Sequence, residues 1–154
     1  MSRYAESTEV SSDRSRNEIE RTLTRYGATG FMYGWTGNQA VIAFEAHARQ
    51  VKLVLPMPDR LDADFTRTPT GRARSASQAQ QAYEQAVRQR WRALALVIKA
   101  KLEAVEAGIT VFEEEFLAHL VMPGTGRTVG QEAIPRIREA YATGKVVPLL
   151  PRLD

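Results

Sequence analysis

The residues with the clearest chemistry in this sequence are its arginines and lysines, which concentrate in the middle third of the chain. Residues 60–101 contain nine cations and three acids, a local charge of +6, whereas residues 102–120 contain five acids and no cation. Seventeen of the 21 cations in the whole chain are arginines. The planar guanidinium of arginine matches a phosphate group with two parallel hydrogen bonds. The pattern therefore indicates a surface for a phosphate or another anion.

Six of these cations are predicted to form one basic stripe. On a helix with about 100° between successive residues, Arg88, Arg92 and Lys99 fall within an arc of about 40° on the side away from the apolar stripe. The predicted nucleic-acid-binding residues are these three and three from the preceding loop: Arg67, Arg72, Arg74, Arg88, Arg92 and Lys99. Such a stripe suits non-specific binding to a nucleic-acid backbone, because each neutralised phosphate releases counterions. The alternative is an ordinary solvated helix face.

An aromatic alternation offers a second binding surface. Phe31, Tyr33 and Trp35 lie on the same side of a predicted strand. Bases of a single strand stack on exposed rings of this kind. The alternative is that the three rings pack against the helices and belong to the core.

Catalytic and metal-binding patterns are weak. His47 and His119 lie outside any HxxxH or HExxH arrangement, and the segment "PGTGRT" lacks the spacing and the lysine of a phosphate-binding loop. The three aspartates of residues 59–64 could hold a divalent ion, but their spacing is not that of an EF-hand, and an arginine lies among them. Cysteine is absent, which excludes disulfides and thiolate chemistry. The sequence predicts no catalytic residue, metal site or cofactor and favours a protein that is not an enzyme.

Hydrophobic periodicity predicts the helices and strands that position these residues. A helix is expected from near Ser12 or Asp13 to Gly27, after a flexible tail of residues 1–11. The segments "GFMYGW", "AVIAFEA" and "QVKLVLP" alternate as short antiparallel strands do. A long helix is expected over residues 77–107, with this apolar stripe: Tyr83, Val87, Trp91, Leu94, Ile98, Leu102 and Val105.

Two helices are expected near the C-terminus. Thr110 and Glu113 have the spacing of a capping box and predict a short helix in "VFEEEFLAHL". The segment "QEAIPRIREAYA" predicts the last helix, with Pro135 in its first turn or at a kink. The predicted fold is α+β: a three-stranded antiparallel meander packed by an N-terminal helix and a long central helix, with two C-terminal helices. We expect one domain over residues 12–145 and an extension over residues 146–154.

The loop of residues 57–76 is long for a compact domain, and loops of this length are usually functional or mobile. Its arginines favour the functional interpretation.

The composition of the whole chain, 44% hydrophobic and 25% charged, is typical of a globular protein. The polar N-terminus has no signal-peptide core, and the longest apolar run, "ALALVI", is too short for a membrane span. We therefore expect a cytoplasmic location and no membrane partner.

Three blocks of the sequence support a resemblance: "RYGATGFMYGW", "VKLVLPMPD" and "RQRWRALALVIKAKLEAVEAGITVFEEEFLAHLVMPGTGRTV". Together they resemble a group of short, uncharacterised proteins of actinobacteria, bacteriophages and mobile elements, over most of residues 12–130. The resemblance implies a phage or mobile-element accessory protein and carries no activity or site residues.

Two functions remain open at this point. The basic stripe predicts a nucleic-acid-associated protein that binds DNA or RNA through the phosphate backbone. The alternative is a protein-interaction module, because a basic block followed by an acidic block favours pairing between subunits or with a host protein.

Overall fold

The computed structural model describes the backbone of residues 3–151 and the side chains of residues 13–151, and it has the predicted α+β architecture. The elements in chain order are α1 (Arg3–Arg25), β1 (Gly30–Thr36), β2 (Gln39–Ala46), β3 (Arg49–Pro56), α2 (Ala63–Thr66), α3 (Ala76–Glu106), α4 (Phe112–Glu115), a 3-10 turn (Leu117–His119) and α5 (Val129–Thr143). The ends of the predicted tail and extension, residues 1–2 and 152–154, lie outside the described residues.

The predicted start of the first helix is wrong. Instead of beginning near Ser12 or Asp13, α1 begins at Arg3 and takes in most of the predicted tail of residues 1–11. The apolar stripe is carried by Ile19 and Leu23, which are 1% exposed and lie in the C-terminal half of the helix. Periodicity therefore marks only that half. No glycine or proline interrupts the chain between Arg3 and residue 26, so nothing in the sequence ends the helix earlier.

The sheet is the predicted antiparallel meander, in the order β1-β2-β3. Tyr33 of β1 lies opposite Ile42 of β2, and Ile42 lies opposite Leu53 of β3. Every second residue of β2 is buried: Ala40, Ile42, Phe44 and Ala46. This alternation places one face of the sheet against the helices, as expected for a meander with one packed face.

The long helix α3 forms the centre of the core. Its N-terminus is a capping box between Ser75 and Gln78, which satisfies two backbone donors that a helix start leaves free. The buried stripe is Tyr83, Val87, Trp91, Ala95, Ile98 and Leu102. Ala95 is thus buried where the sequence predicted Leu94, and Leu94 packs against the core as a partly buried residue.

The stretch between the sheet and α3 is structured. Asp62 caps α2 by accepting a hydrogen bond from the backbone N–H of Asp64. The chain then pairs with itself in an isolated bridge between Arg67 and Ala73. The Arg74 N–H donates to the Thr66 carbonyl at 2.8 Å. This segment is therefore a helical turn followed by a small hairpin.

The C-terminal helices differ from the prediction in their caps. The predicted capping box at Thr110 is wrong, since α4 has Val111 at its N-cap and no side-chain cap hydrogen bond. The box lies instead between Thr128 and Gln131, so that α5 starts at Val129 and places Pro135 in its second turn, past the predicted first turn.

One glycine in α5 is required by a close contact. A Cβ atom at Gly130 would lie 2.7 Å from the carbonyl oxygen of Ala118, and this oxygen belongs to the backbone of the 3-10 turn. α5 can approach that turn only because residue 130 has no side chain.

In the described part of the chain, none of the helices combines the length and apolar character needed to cross a bilayer.

Candidate functional site

One flank of α3 forms the wall of two adjoining grooves. The first groove, of about 610 Å³, lies between α3 and α1. The second, of about 630 Å³, lies between the N-terminal half of α3 and the small hairpin. Gln85 and Arg88 line both, so the two grooves meet at these residues. We refer to the pair as the α3 groove. The lining of the α3 groove includes Arg14, Ser15 and Glu18 of α1; Arg74 of the hairpin; and Gln81, Gln85, Arg88, Gln89, Arg92 and Leu96 of α3.

The structure brings together half of the predicted basic residues. Arg74, Arg88 and Arg92 line the α3 groove. Their convergence has two causes: Arg88 and Arg92 are four residues apart on one helix face, and the hairpin returns the chain so that Arg74 lies just before the N-cap of that helix. The Arg74 guanidinium also donates to the Asp64 carbonyl at 3.2 Å, which fixes the hairpin to α2.

The other three predicted residues lie outside the lining of the groove. Arg67 donates to the Gly71 carbonyl at 3.1 Å and closes the hairpin. Arg72 is exposed on the same hairpin, and Lys99 is exposed on α3 three residues beyond Leu96. The structure therefore gathers three of the six cations in the groove and places the other three outside its lining.

The arginines of the groove lack acidic partners within the described residues. None of the salt bridges seen among the described side chains involves Arg88 or Arg92. The acidic run at Glu113–Glu115 lies elsewhere, with Glu115 bound to Lys101 at 3.0 Å. Among the described residues that line the first groove, Glu18 is the one acid. This flank of α3 therefore presents more positive than negative charge to solvent.

Two further cations of α3 are tethered to other elements. Arg90 donates to the Pro56 carbonyl at the end of β3, at 2.8 Å. Lys101 donates to both the carboxylate and the backbone carbonyl of Glu115, at 3.0 and 3.1 Å. These two cations hold other elements to the helix and are not oriented toward the groove.

The aromatic alternation of β1 packs against the core. The Tyr33 and Trp35 rings have their centroids 5.3 and 6.4 Å from that of Trp91, which is fully buried. The Arg16 guanidinium covers the Tyr33 ring at 4.6 Å from its centroid. Phe31 is also partly buried against the core. These contacts favour the packing interpretation of the three rings over base stacking.

The two histidines have structural surroundings. His47 has a φ of 50° in the turn between β2 and β3, and its ring stacks on Phe112 with a centroid distance of 4.6 Å. Burial lowers the pKa of His119 below its ordinary 6.5, and the nearby charge of Lys101 lowers it further. A neutral imidazole is thus favoured at residue 119.

The aspartates of the 57–76 segment are engaged by the backbone. The carboxylates of Asp59 and Asp62 accept hydrogen bonds at 2.9 Å from the N–H groups of Leu61 and Asp64. These bonds shape the turns before and into α2. In the part of the chain that the structure describes, no group of three or more acidic or histidine side chains is arranged to hold a metal ion.

Sequence reasoning missed the contribution of α1 and of the glutamines. Arg14 and Glu18 lie far from α3 in the sequence, and only the packing of α1 on α3 brings them to the groove. Gln81, Gln85 and Gln89 were visible in the sequence as a four-residue repeat on the flank that carries Arg88 and Arg92. Their position beside the cations was the available signal.

Comparison of the chain with protein-family models, curated proteins and solved structures finds no match.

Proposed function

We propose that this protein binds the phosphate backbone of nucleic acid, DNA or RNA, through the α3 groove. The observation that supports this function is the convergence of Arg14, Arg74, Arg88 and Arg92 on one continuous groove. Guanidinium groups at such spacing can each contact a different phosphate along a strand, and the release of counterions supplies the affinity. A phage or mobile-element setting and a cytoplasmic location belong to the same proposal, and the resemblance of the sequence blocks favours that setting.

Charge placement supports the groove over a general basic surface. The chain carries a net charge of only +3, so non-specific attraction of the whole molecule to a polyanion is weak. Arg90 and Lys101, on the same helix, are held by Pro56 and Glu115. Of the five cations of α3, the three without such a tether are Arg88, Arg92 and Lys99, and the first two line the groove.

The test is a salt series of DNA and RNA binding with single arginine substitutions. For the unchanged protein, the logarithm of the binding constant should fall linearly with the logarithm of salt concentration. Arg88→Ala and Arg92→Ala should each lower the magnitude of that slope by about 0.7 to 0.9, because each removes one phosphate contact.

Arg90→Ala is the matched control, since it removes the same charge from the same helix outside the groove. It should leave the salt slope within about 0.3 of the unchanged value. Equal effects of Arg88→Ala, Arg92→Ala and Arg90→Ala would contradict a localised groove. Absence of binding to any nucleic acid at low salt would refute the proposed function.

A second candidate function, self-association, is favoured by the exposed apolar face of α5. Ile134, Ile137 and Tyr141 follow one another at spacings of three and four on this helix, and they are 42%, 38% and 89% exposed. A helix of 15 residues depends on packing for most of its stability. A second copy of the chain could cover this face.

Analytical ultracentrifugation over a range of protein concentrations tests this second candidate. Self-association through α5 predicts a mass that rises with concentration and falls back to the monomer in Ile137→Asn and Tyr141→Ser. Val146→Ser, at a site 96% exposed outside the helix, should have no effect. A monomeric mass at every concentration would exclude this candidate without affecting the nucleic-acid proposal.

A further inference from the structure

The α3 groove contains a row of neutral amides beside its arginines. Gln81, Gln85 and Gln89 lie on the flank of α3 that carries Arg88 and Arg92. Within the described residues, none of these three side chains makes a hydrogen bond. We infer that the groove binds single-stranded nucleic acid, with the arginines on the phosphates and the glutamines with Glu18 on the edges of the bases. This inference rests on the proposed function.

The side-chain chemistry of the groove fits a ligand that is more than a chain of phosphates. Phosphate oxygens only accept hydrogen bonds, whereas a glutamine carboxamide both donates and accepts. In a surface that bound phosphates alone, the acceptor oxygens of Gln85 and Gln89 would have no hydrogen-bond donor to accept from. Base edges offer donors and acceptors side by side, and glutamine is a common partner of adenine. A row of carboxamides therefore suits a strand whose bases face the groove.

The acid in the groove points the same way. The Glu18 carboxylate lines the first groove together with Arg14, Arg88 and Arg92. A carboxylate repels a phosphate at close range, so its presence is unfavourable in a site built only for the backbone. The amino group of cytosine is a donor that a glutamate can accept. Glu18 therefore fits the base side of a bound strand.

The position of α1 beside α3 favours a single strand over a duplex in the first groove. A recognition helix, about 10–12 Å in diameter with its side chains, fills the major groove, which is about 12 Å wide. Here Arg14, Ser15 and Glu18 of α1 line the same groove as α3. A second helix beside α3 takes up space that the wall of a major groove would need there. A single strand needs only the channel between the two helices, and its unpaired bases can turn toward α3.

Leu96 extends the groove with an apolar contact. Its side chain is 57% exposed and lines the first groove one turn beyond Arg92. Among the described residues that line the groove there is no aromatic ring, so base stacking contributes little here. The amides and arginines must then supply most of the affinity. We expect weak sequence preference, because a carboxamide can rotate to meet the donors or acceptors of any base.

The test uses the full chain and three probes: a mixed-sequence single-stranded oligonucleotide, the duplex of the same sequence, and inorganic polyphosphate. The unchanged protein should bind the single strand at least about ten times more tightly than the duplex. The triple variant Gln81→Ala/Gln85→Ala/Gln89→Ala should weaken single-strand binding by at least about tenfold, given the energy of a good base contact. Its affinity for polyphosphate should stay unchanged, since no arginine is removed.

Two controls separate the loss of base contacts from a loss of folding and from the loss of phosphate contacts. Alanine is the best helix former, so the triple variant should keep the far-ultraviolet circular dichroism and melting temperature of the unchanged protein. The pair Arg88→Ala/Arg92→Ala should weaken binding to all three probes, because it removes phosphate contacts that they share. The contrast between the two variants then distinguishes base contacts from backbone contacts.

The outcomes that overturn this inference are distinct from those that overturn the proposed function. If the duplex binds as tightly as the single strand, or if the glutamine variant loses polyphosphate and single strand equally, base recognition is refuted while backbone binding stands. If the unchanged protein binds none of the three probes, the proposed function fails and this inference fails with it.

Discussion

Arg88 and Lys101 lie on the same helix, but the structure uses their charges differently. The Lys101 ammonium is 3.0 Å from the Glu115 carboxylate and 3.1 Å from the carbonyl of the same residue. Arg88 lies where the two parts of the α3 groove meet and is exposed. One cation joins two elements of the fold, and the other forms no salt bridge with a described residue. The charge of a residue is thus a weaker guide to its role than the element packed beside it.

The cause of the difference is the direction in which the chain continues after α3. The acid-rich segment that starts α4 follows this helix directly, and it folds back on its C-terminal end, where Lys101 lies. Arg88 and Arg92 lie about two and a half to three and a half turns earlier, beside α1 and the hairpin. Glu115 therefore pairs with the cation at the end of the helix nearest to it, and among the described residues no acid forms a salt bridge with Arg88 or Arg92.

The largest effect is expected for Trp91→Ala, which removes core packing from α3 at a position between Arg88 and Lys101. Trp91 is fully buried and contacts the rings of Tyr33 and Trp35. The free energy of unfolding should fall by about 3–5 kcal/mol, as for other large-to-small core substitutions. Urea denaturation measures this change. Met32→Ala, at a site 70% exposed, should change stability by less than about 0.5 kcal/mol; similar losses for both would contradict the placement of the core.

A smaller loss of stability is expected at the tethered cation. Lys101→Met should lower the free energy of unfolding by about 1 kcal/mol or less, because the pair with Glu115 is about one-quarter exposed and solvent screens it. Lys99→Met is the matched control, since it removes the same charge two residues away, where no described carboxylate forms a salt bridge. A double-mutant cycle with Glu115→Gln isolates the pair. Equal effects at the two lysines would show that the pair with Glu115 does not stabilise the fold.

The same lysine gives a prediction about pH. The pKa of His119 is lowered in the folded protein, first by burial and then by Lys101. The unfolded chain therefore takes up a proton at higher pH than the folded chain does. The contribution of His119 to the free energy of unfolding should be fully present above pH 6.5, the ordinary pKa of histidine. It should fall as the pH drops from there toward the pKa in the folded protein.

Thermal denaturation above and below pH 6.5 checks this dependence. His119→Gln should flatten it, and Lys101→Met should reduce it, because the substitution removes the second cause of the shift. A dependence of the opposite sign, with stability gained on acidification through this window, would show that His119 is stabilised in its charged form.

The smallest effect on stability is expected in the groove itself. Arg88→Ala and Arg92→Ala remove exposed side chains that form no salt bridge with a described residue. The free energy of unfolding should stay within about 0.5 kcal/mol of that of the unchanged protein, and alanine favours the helix. Denaturation and nucleic-acid titration of the same samples decide the comparison. A marked loss of stability would mean that these arginines belong to the fold.

Most of the fold could be predicted because its signals are local. The alternation of Tyr33, Ile42 and Leu53 with their neighbours defines the strands, and the buried stripe through Val87 and Trp91 defines the long helix. The misplaced elements are those whose signal was not periodic. The N-terminal half of α1 has no apolar stripe, and the start of α4 uses no side-chain cap, so neither could be located from residue spacing.

The sequence by itself determined the α+β class, the order of the elements and the arc of cations on α3, because each depends on the repeat of a helix or a strand. Only the tertiary structure decided which charges pair with another residue and which line the groove. Arg14 and Glu18 reach the groove through the packing of α1, and Lys101 is paired because the chain folds back after α3. Charges interact across space, and the distances between them are set by packing that residue spacing does not encode.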